Sequence, residues 1–129
     1  MYRYHWIWII GASQQNGKRE QCVCKISLQN VPVLDGTLEL INKNIVPGGT
    51  SNNLKATNEF VKWEHNIDES SKLLLCDAQT SGGLLISIPP KFADEIIVKL
   101  NESGHKKASI IGKVTKKKEF ENKMINFIN

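Results

Sequence analysis

Cysteine is scarce in this chain: three in 129 residues, an odd number with no framework spacing, which argues against a disulfide scaffold. Cys22 and Cys24 stand one residue apart, too close to form a zinc knuckle alone, and no second pair completes one. Histidine is equally sparse. His5, His65 and His105 are scattered, and each reads as a structural or surface residue. No apolar stretch reaches the roughly 18–20 residues of a membrane span, so no membrane partner is expected and a reducing cytoplasm is the expected location. The net charge is only +4. Its one basic run, Lys113 with Lys116-Lys117-Lys118, reads as a solvated surface, and without a dense basic face interleaved with aromatics no nucleic-acid partner is expected.

What is present fits a single soluble globular domain, with 40% hydrophobic and 23% charged residues. Val23 to Leu28 reads as a strand that Pro32 ends. Leu34, Leu38 and Ile41 fall at helical spacing, predicting a helix over 35–43 with Asp35 as its N-cap. Pro47-Gly48-Gly49 breaks the chain, and Thr50 to Trp63 reads as a second helix. Leu73-Leu74-Leu75 reads as a buried helical turn. Leu84 to Ile88 is almost continuously apolar, as in a strand covered on both faces. Phe92, Ala93, Ile96, Ile97 and Leu100 form one face of a helix that stops at Gly104. Ala108 to Val114 reads as a strand, and Phe120, Met124 and Phe127 mark a packed terminal helix over 116–129. This β-α-α-β-α-β-α order predicts an α/β (α+β) sandwich, a mixed sheet with packed helices.

Two polar, glycine-bearing stretches carry the chemistry. Residues 77–85 read Asp-Ala-Gln-Thr-Ser-Gly-Gly-Leu-Leu and run into the apolar segment. Pro47-Gly48-Gly49-Thr50 precedes them, with Asn53 three residues on. Turns of this kind hold backbone N–H groups toward an anion, and two of them imply a phosphate-handling surface. For Gly48, Gly49, Thr50 and Asn53, a helix-capping loop with Thr50 as the cap and direct ligand contact both remain open. Cys76 follows three leucines and reads as a buried thiol rather than a nucleophile.

These residues resemble the C-terminal domain of selenophosphate synthetase (selenide, water dikinase), in the superfamily that includes aminoimidazole ribonucleotide synthetase. The resemblance rests on Val46-Pro47-Gly48-Gly49-Thr50 with Asn53, on Leu74 to Leu85, and on Ile110-Ile111-Gly112-Lys113-Val114, and covers about Val23 to Val114. It implies transfer of the γ-phosphate of ATP to hydrogen selenide, with magnesium required, giving selenophosphate, AMP and orthophosphate. Selenophosphate is the selenium donor for selenocysteine. By that resemblance Gly48, Gly49, Thr50, Asn53, Asp77, Gln79, Thr80, Ser81, Gly82 and Gly83 lie near ATP phosphates. The Thr80 and Ser81 hydroxyls would donate to phosphate, and Gly82 and Gly83 would allow close backbone approach. Asp77 would either carry a metal-bound water or cap the following turn. The family's reactive cysteine or selenocysteine, its partner lysine and most metal-binding aspartates belong to an N-terminal domain that is not in this sequence.

Residues 1–22 do not follow the family pattern, which there has Cys-Thr-Asp-Ile-Thr-Gly-Phe-Gly-Leu-Leu-Gly-His. The codons account for the difference. Met1-Tyr2 must be ATG-TAY, whose shifted frame encodes cysteine. Trp6-Ile7 and Trp8-Ile9 must each contain TGG-A, whose shifted frame encodes glycine. These forced residues fall on the family's Cys and on both glycines of Gly-Phe-Gly, and the remaining positions permit the rest. The expectation is a frameshifted leader over 1–22, the family domain over 23–115 and a C-terminal helix over 116–129. Functionally, the expected protein is the C-terminal part of a selenide, water dikinase, inactive alone. The alternatives are a non-catalytic ATP- or phosphate-binding module that pairs with a separate N-terminal half, or the product of a degraded gene. A homodimer is a further possible assembly.

Overall fold

The computed structural model describes residues 22–79, 83–118, 122–123 and 125–128. Four strands form one mixed sheet: β1 (Cys22–Ser27), β2 (Val61–Trp63), β3 (Gly112–Lys116) and β4 (Ile125–Ile128). Their spatial order is β2-β4-β1-β3. β3 runs antiparallel to β1, while β4 runs parallel to both β1 and β2. Side chains alternate across a strand, so Cys24 and Ile26, Val61 and Trp63, and Ile125 and Phe127 share one face. That face closes over Ile67 and Leu75 to make the core. The Trp63 and Phe127 rings stack with centroids 4.8 Å apart and planes 11° from parallel.

Four helices accompany the sheet: α1 (Thr37–Asn42), α2 (Gly48–Thr57), α3 (Glu69–Leu75) and α4 (Ala93–Glu102). Single 3-10 turns occupy Leu28–Asn30 and Pro90–Phe92. α3 starts sharply because the Asp68 carboxylate accepts the Ser71 N–H at 2.8 Å. Hydrogen bonds from Ser71, side chain and backbone, hold the Asp68 carboxyl below the usual carboxylate range. α3 delivers Leu75 to the core and ties to α1 through Ser70 Oγ, which donates to Asn42 Oδ1 at 3.0 Å. The architecture is the expected α/β sandwich, a mixed sheet with packed helices.

Several elements differ from the sequence expectation. Asp35 does not cap α1; Gly36, in the left-handed region at φ 80°, precedes the helix with no side-chain cap. The helix expected over Thr50 to Trp63 begins earlier, at Gly48, and ends at Thr57. Val61–Trp63 instead becomes β2, because its β-branched and aromatic residues find a ladder partner in β4. The strand expected over Leu84 to Ile88 does not join the sheet, and Leu84 is 88% exposed. The outer edges of β2 and β3 carry no partner strand among the described residues, yet this segment pairs with neither. The strand expected over Ala108 to Val114 starts only at Gly112 and runs to Lys116.

The C-terminal helix expected over 116–129 is also corrected. Lys116 belongs to β3, and Ile125–Ile128 is a strand lying between β2 and β1. Ile125 and Phe127 are two residues apart and so reach the same side of a sheet, where both are buried. Phe120, Met124 and residues 1–21, expected to be a leader, lie outside the described residues.

Candidate functional site

The polar residues of α2 face inward. Thr50, Asn53 and Thr57 recur at three- and four-residue intervals, which places them along one side of the helix. All three are buried, Thr50 completely. Their partners lie in the segment that leaves α3. Thr50 Oγ1 donates to Asp77 Oδ1 at 3.2 Å and accepts from the Ala78 N–H at 3.2 Å. Asn53 Nδ2 donates to the Cys76 carbonyl oxygen at 3.0 Å. Thr57 Oγ1 sits 3.6 Å from Cys76 Sγ and donates to the Leu54 carbonyl at 2.9 Å.

Glycine permits this close docking. A Cβ on Gly49 would lie 3.1 Å from the Ala78 Cβ, so a side chain there would push the two segments apart. The Pro-Gly-Gly-Thr and Asp-Ala-Gln stretches are therefore joined at a seam made of hydrogen bonds and one tight backbone approach. Thr50→Val keeps the volume but removes the hydroxyl, leaving the N–H of half-buried Ala78 without its acceptor. The expected loss is about 1–3 kcal/mol of stability. Denaturant unfolding measures it, and faster hydrogen exchange at the Ala78 amide localises it.

The expected site residues separate into two groups. Thr50 and Asn53 are buried and structural in their contacts, while Gly48 is exposed and Gly49 half-buried. Asp77 and Gln79 are half-buried and Gly83 is exposed. Thr80, Ser81 and Gly82 lie outside the described residues. Thr50 is not an N-cap: Pro47 precedes the helix, and Thr50 is its third residue. The Asp77 carboxylate accepts from Thr50 of α2, and the turn it was expected to cap runs into residues outside those described. Sequence reasoning missed Thr57, Ala78 and the Cys76 carbonyl as members of the seam. The spacing of Thr50, Asn53 and Thr57 was the signal that could have found it.

Asn53 Oδ1 is buried with no hydrogen-bond partner. No group of three or more His, Cys, Asp or Glu that could hold a metal occurs among the described residues. Asp77 supplies a single carboxylate, with one oxygen already bonded to Thr50. These residues do not form a magnesium site by themselves.

Residues 20–124 match the family described as AIR synthase related protein, C-terminal domain. The chain belongs to this family. It is similar to proteins named selenide, water dikinase: 32% identical over 111 residues to that of Clostridioides difficile, covering 86% of this chain and 32% of the relative. It is 46% identical over 89 residues to that of Campylobacter jejuni, covering 69% of this chain and 25% of the relative. The Aliarcobacter butzleri relative is 39% identical over 89 residues, covering 69% of this chain and 26% of the relative. The chain thus spans a quarter to a third of the length of these relatives. No helix among the described residues is long and apolar enough to cross a membrane.

Within this family domain, Cys76 is built to stay a thiol. Burial pushes its pKa up, a hydrogen bond with Thr57 opposes that, and the Glu69 charge adds to the rise. A raised folded-state pKa stabilises the fold fully below the unfolded value of about 8.5, and that contribution is lost as pH rises through the folded value. Ellman's reagent at pH 8 is expected to label exposed Cys22 at least about tenfold faster than Cys76. Denaturation at pH 8, 9 and 10 should show stability falling with pH, and a Cys76→Ala chain should lose that slope.

Proposed function

We propose that this chain is the C-terminal part of an ATP-dependent phosphotransferase that makes selenophosphate from ATP and selenide. Its family membership and its likeness to proteins named selenide, water dikinase support that reading. The observation that carries the site is the joining of the two glycine-bearing stretches, with Thr50 bonded to Asp77 and Ala78. That contact sets the start of α2 beside the half-buried Asp77 and Gln79. The first N–H groups of a helix have no partner within it, and the helix dipole favours negative charge there. Gly48 and Gly49 leave those groups open to the phosphates of ATP, with the Thr80 and Ser81 hydroxyls and the Gly82 and Gly83 backbone as further donors. Asn53 and Thr50 act as positioning residues that fix the turn against α2.

Phosphoryl transfer depends on positioning and charge neutralisation. With one carboxylate at the turn and the Cys76 thiol held protonated, the described residues supply positioning. We therefore expect the chain to be inactive alone, with magnesium ligands and the nucleophile in an N-terminal portion. The test measures AMP formation from ATP and selenide by the purified chain, with and without a separately expressed N-terminal portion of the Campylobacter jejuni relative. No AMP from the chain alone and AMP from the mixture is the expected result. AMP from the chain alone would sink the inactive-alone reading.

A second reading, a non-catalytic phosphate-binding module, is favoured by the Asp77 carboxylate being bonded to Thr50 within the seam. Calorimetric titration with ATP that shows binding, without AMP in either mixture, would select it. The residues before the family match, which begins at residue 20, are proposed to be an out-of-frame leader. The adjacent reading frame of the coding DNA decides that, and failure to spell Thr-Asp-Ile-Thr-Gly-Phe-Gly there would reject it.

A further inference from the structure

The second face of the sheet carries a cationic row beside the buried Val23, and the proposed function makes no use of that row. Residues between the core positions of each strand point away from the core. The register sets Lys62 opposite Asn126, Asn126 opposite Lys25, and Lys25 opposite Lys113. A single transverse row therefore crosses all four strands and carries three ammonium groups and one amide. Strands about 4.8 Å apart make this row about 14 Å long. Lys62 and Lys113 are exposed, Lys25 and Asn126 are half-buried, and Val23 beside them is fully buried.

The strands contain no aspartate or glutamate. The ion pairs among the described residues are Lys72–Glu69, Lys99–Glu95 and Lys107–Asp35, and none uses a lysine of the row. Like charges directly opposite in a ladder weaken it, and no carboxylate among the described residues pairs with Lys25 or Lys113.

We propose that this row is a docking surface for an acidic polypeptide segment, whose carboxylates meet Lys62, Lys25 and Lys113. Charge complementarity selects the partner. A second copy would bring lysine row against lysine row and be repelled. Nucleic acid fits poorly because the row offers no arginine fork and no stacking surface. The aromatic strand residues, Trp63 and Phe127, are turned into the core and stacked on each other.

The test uses fluorescein-labelled decaglutamate and fluorescence anisotropy at 50 and 200 mM sodium chloride. The Lys25→Gln, Lys62→Gln, Lys113→Gln triple variant is compared with Lys43→Gln, Lys55→Gln, Lys91→Gln, three exposed lysines elsewhere. Both lose the same charge. The row variant should bind at least about tenfold more weakly than the unmodified chain, and the control less than about twofold. Lys62→Glu with Lys113→Glu, confined to exposed positions, should abolish binding while thermal melts remain unchanged. Equal weakening by both triples, no decaglutamate binding by the unmodified chain, or tighter binding of a 20-nucleotide single-stranded DNA would each overturn the proposal.

Discussion

Gly112→Ala is expected to destabilise the chain by more than about 4 kcal/mol, close to the whole stability of a marginal domain. Gly112 lies in β3 opposite Ile26 of β1. An added Cβ would overlap the Lys25 carbonyl oxygen and lie 2.9 Å from the Ile26 Cα and 3.0 Å from the Lys25 carbonyl carbon. All three are backbone atoms of a strand bonded on both edges, so β1 cannot yield without also breaking its pairing with β4. Glycine inside a strand often marks such a close backbone approach. Gly83→Ala is the control, since a Cβ there meets nothing within 4 Å, and it should shift stability by less than about 0.5 kcal/mol. Denaturant midpoints for the two variants and the parent test both expectations. A Gly112→Ala chain that melts with the parent would contradict the close approach of β3 to β1.

Phe127→Ala should cost about 3–5 kcal/mol. Phe127 is buried, belongs to the core with Ile26, Val61 and Ile125, and covers the Trp63 ring. Truncation leaves a cavity at the centre of the sheet and removes the aromatic stacking. In a Trp6→Phe, Trp8→Phe background the remaining tryptophan reports directly on the contact. Its emission should shift to the red in the folded variant as water reaches the ring. Unchanged emission together with unchanged stability would place Phe127 away from Trp63.

That prediction rests on an element the sequence did not disclose. Phe120, Met124 and Phe127 suit a helix, whereas Ile125 and Phe127 suit a strand. The strand prevails over 125–128 because β1 and β2 each offer an unpaired edge at the same spacing. A three-residue strand such as Val61–Trp63 is similarly invisible until its neighbour exists. Leu84 to Ile88 shows the converse: its strand composition is strong, yet it pairs with no strand, although β2 and β3 are edge strands. α4 is different, since its apolar spacing and the glycine past its end depend only on local residues, and it forms between Ala93 and Glu102 much as expected.

The sequence by itself determined the class of the fold, the first strand, α4 and the kinship carried by the two glycine-bearing stretches. These depend on local residue order and on a long, specific motif. Tertiary structure alone decided that Thr50 and Asn53 face inward, that Asp77 is bonded to Thr50, and that the chain's end lies within the sheet. Those outcomes depend on which groups meet across tens of residues. Hydrogen bonds over separations of 23 to 28 residues, like ladder pairings across nearly a hundred, have no local signature.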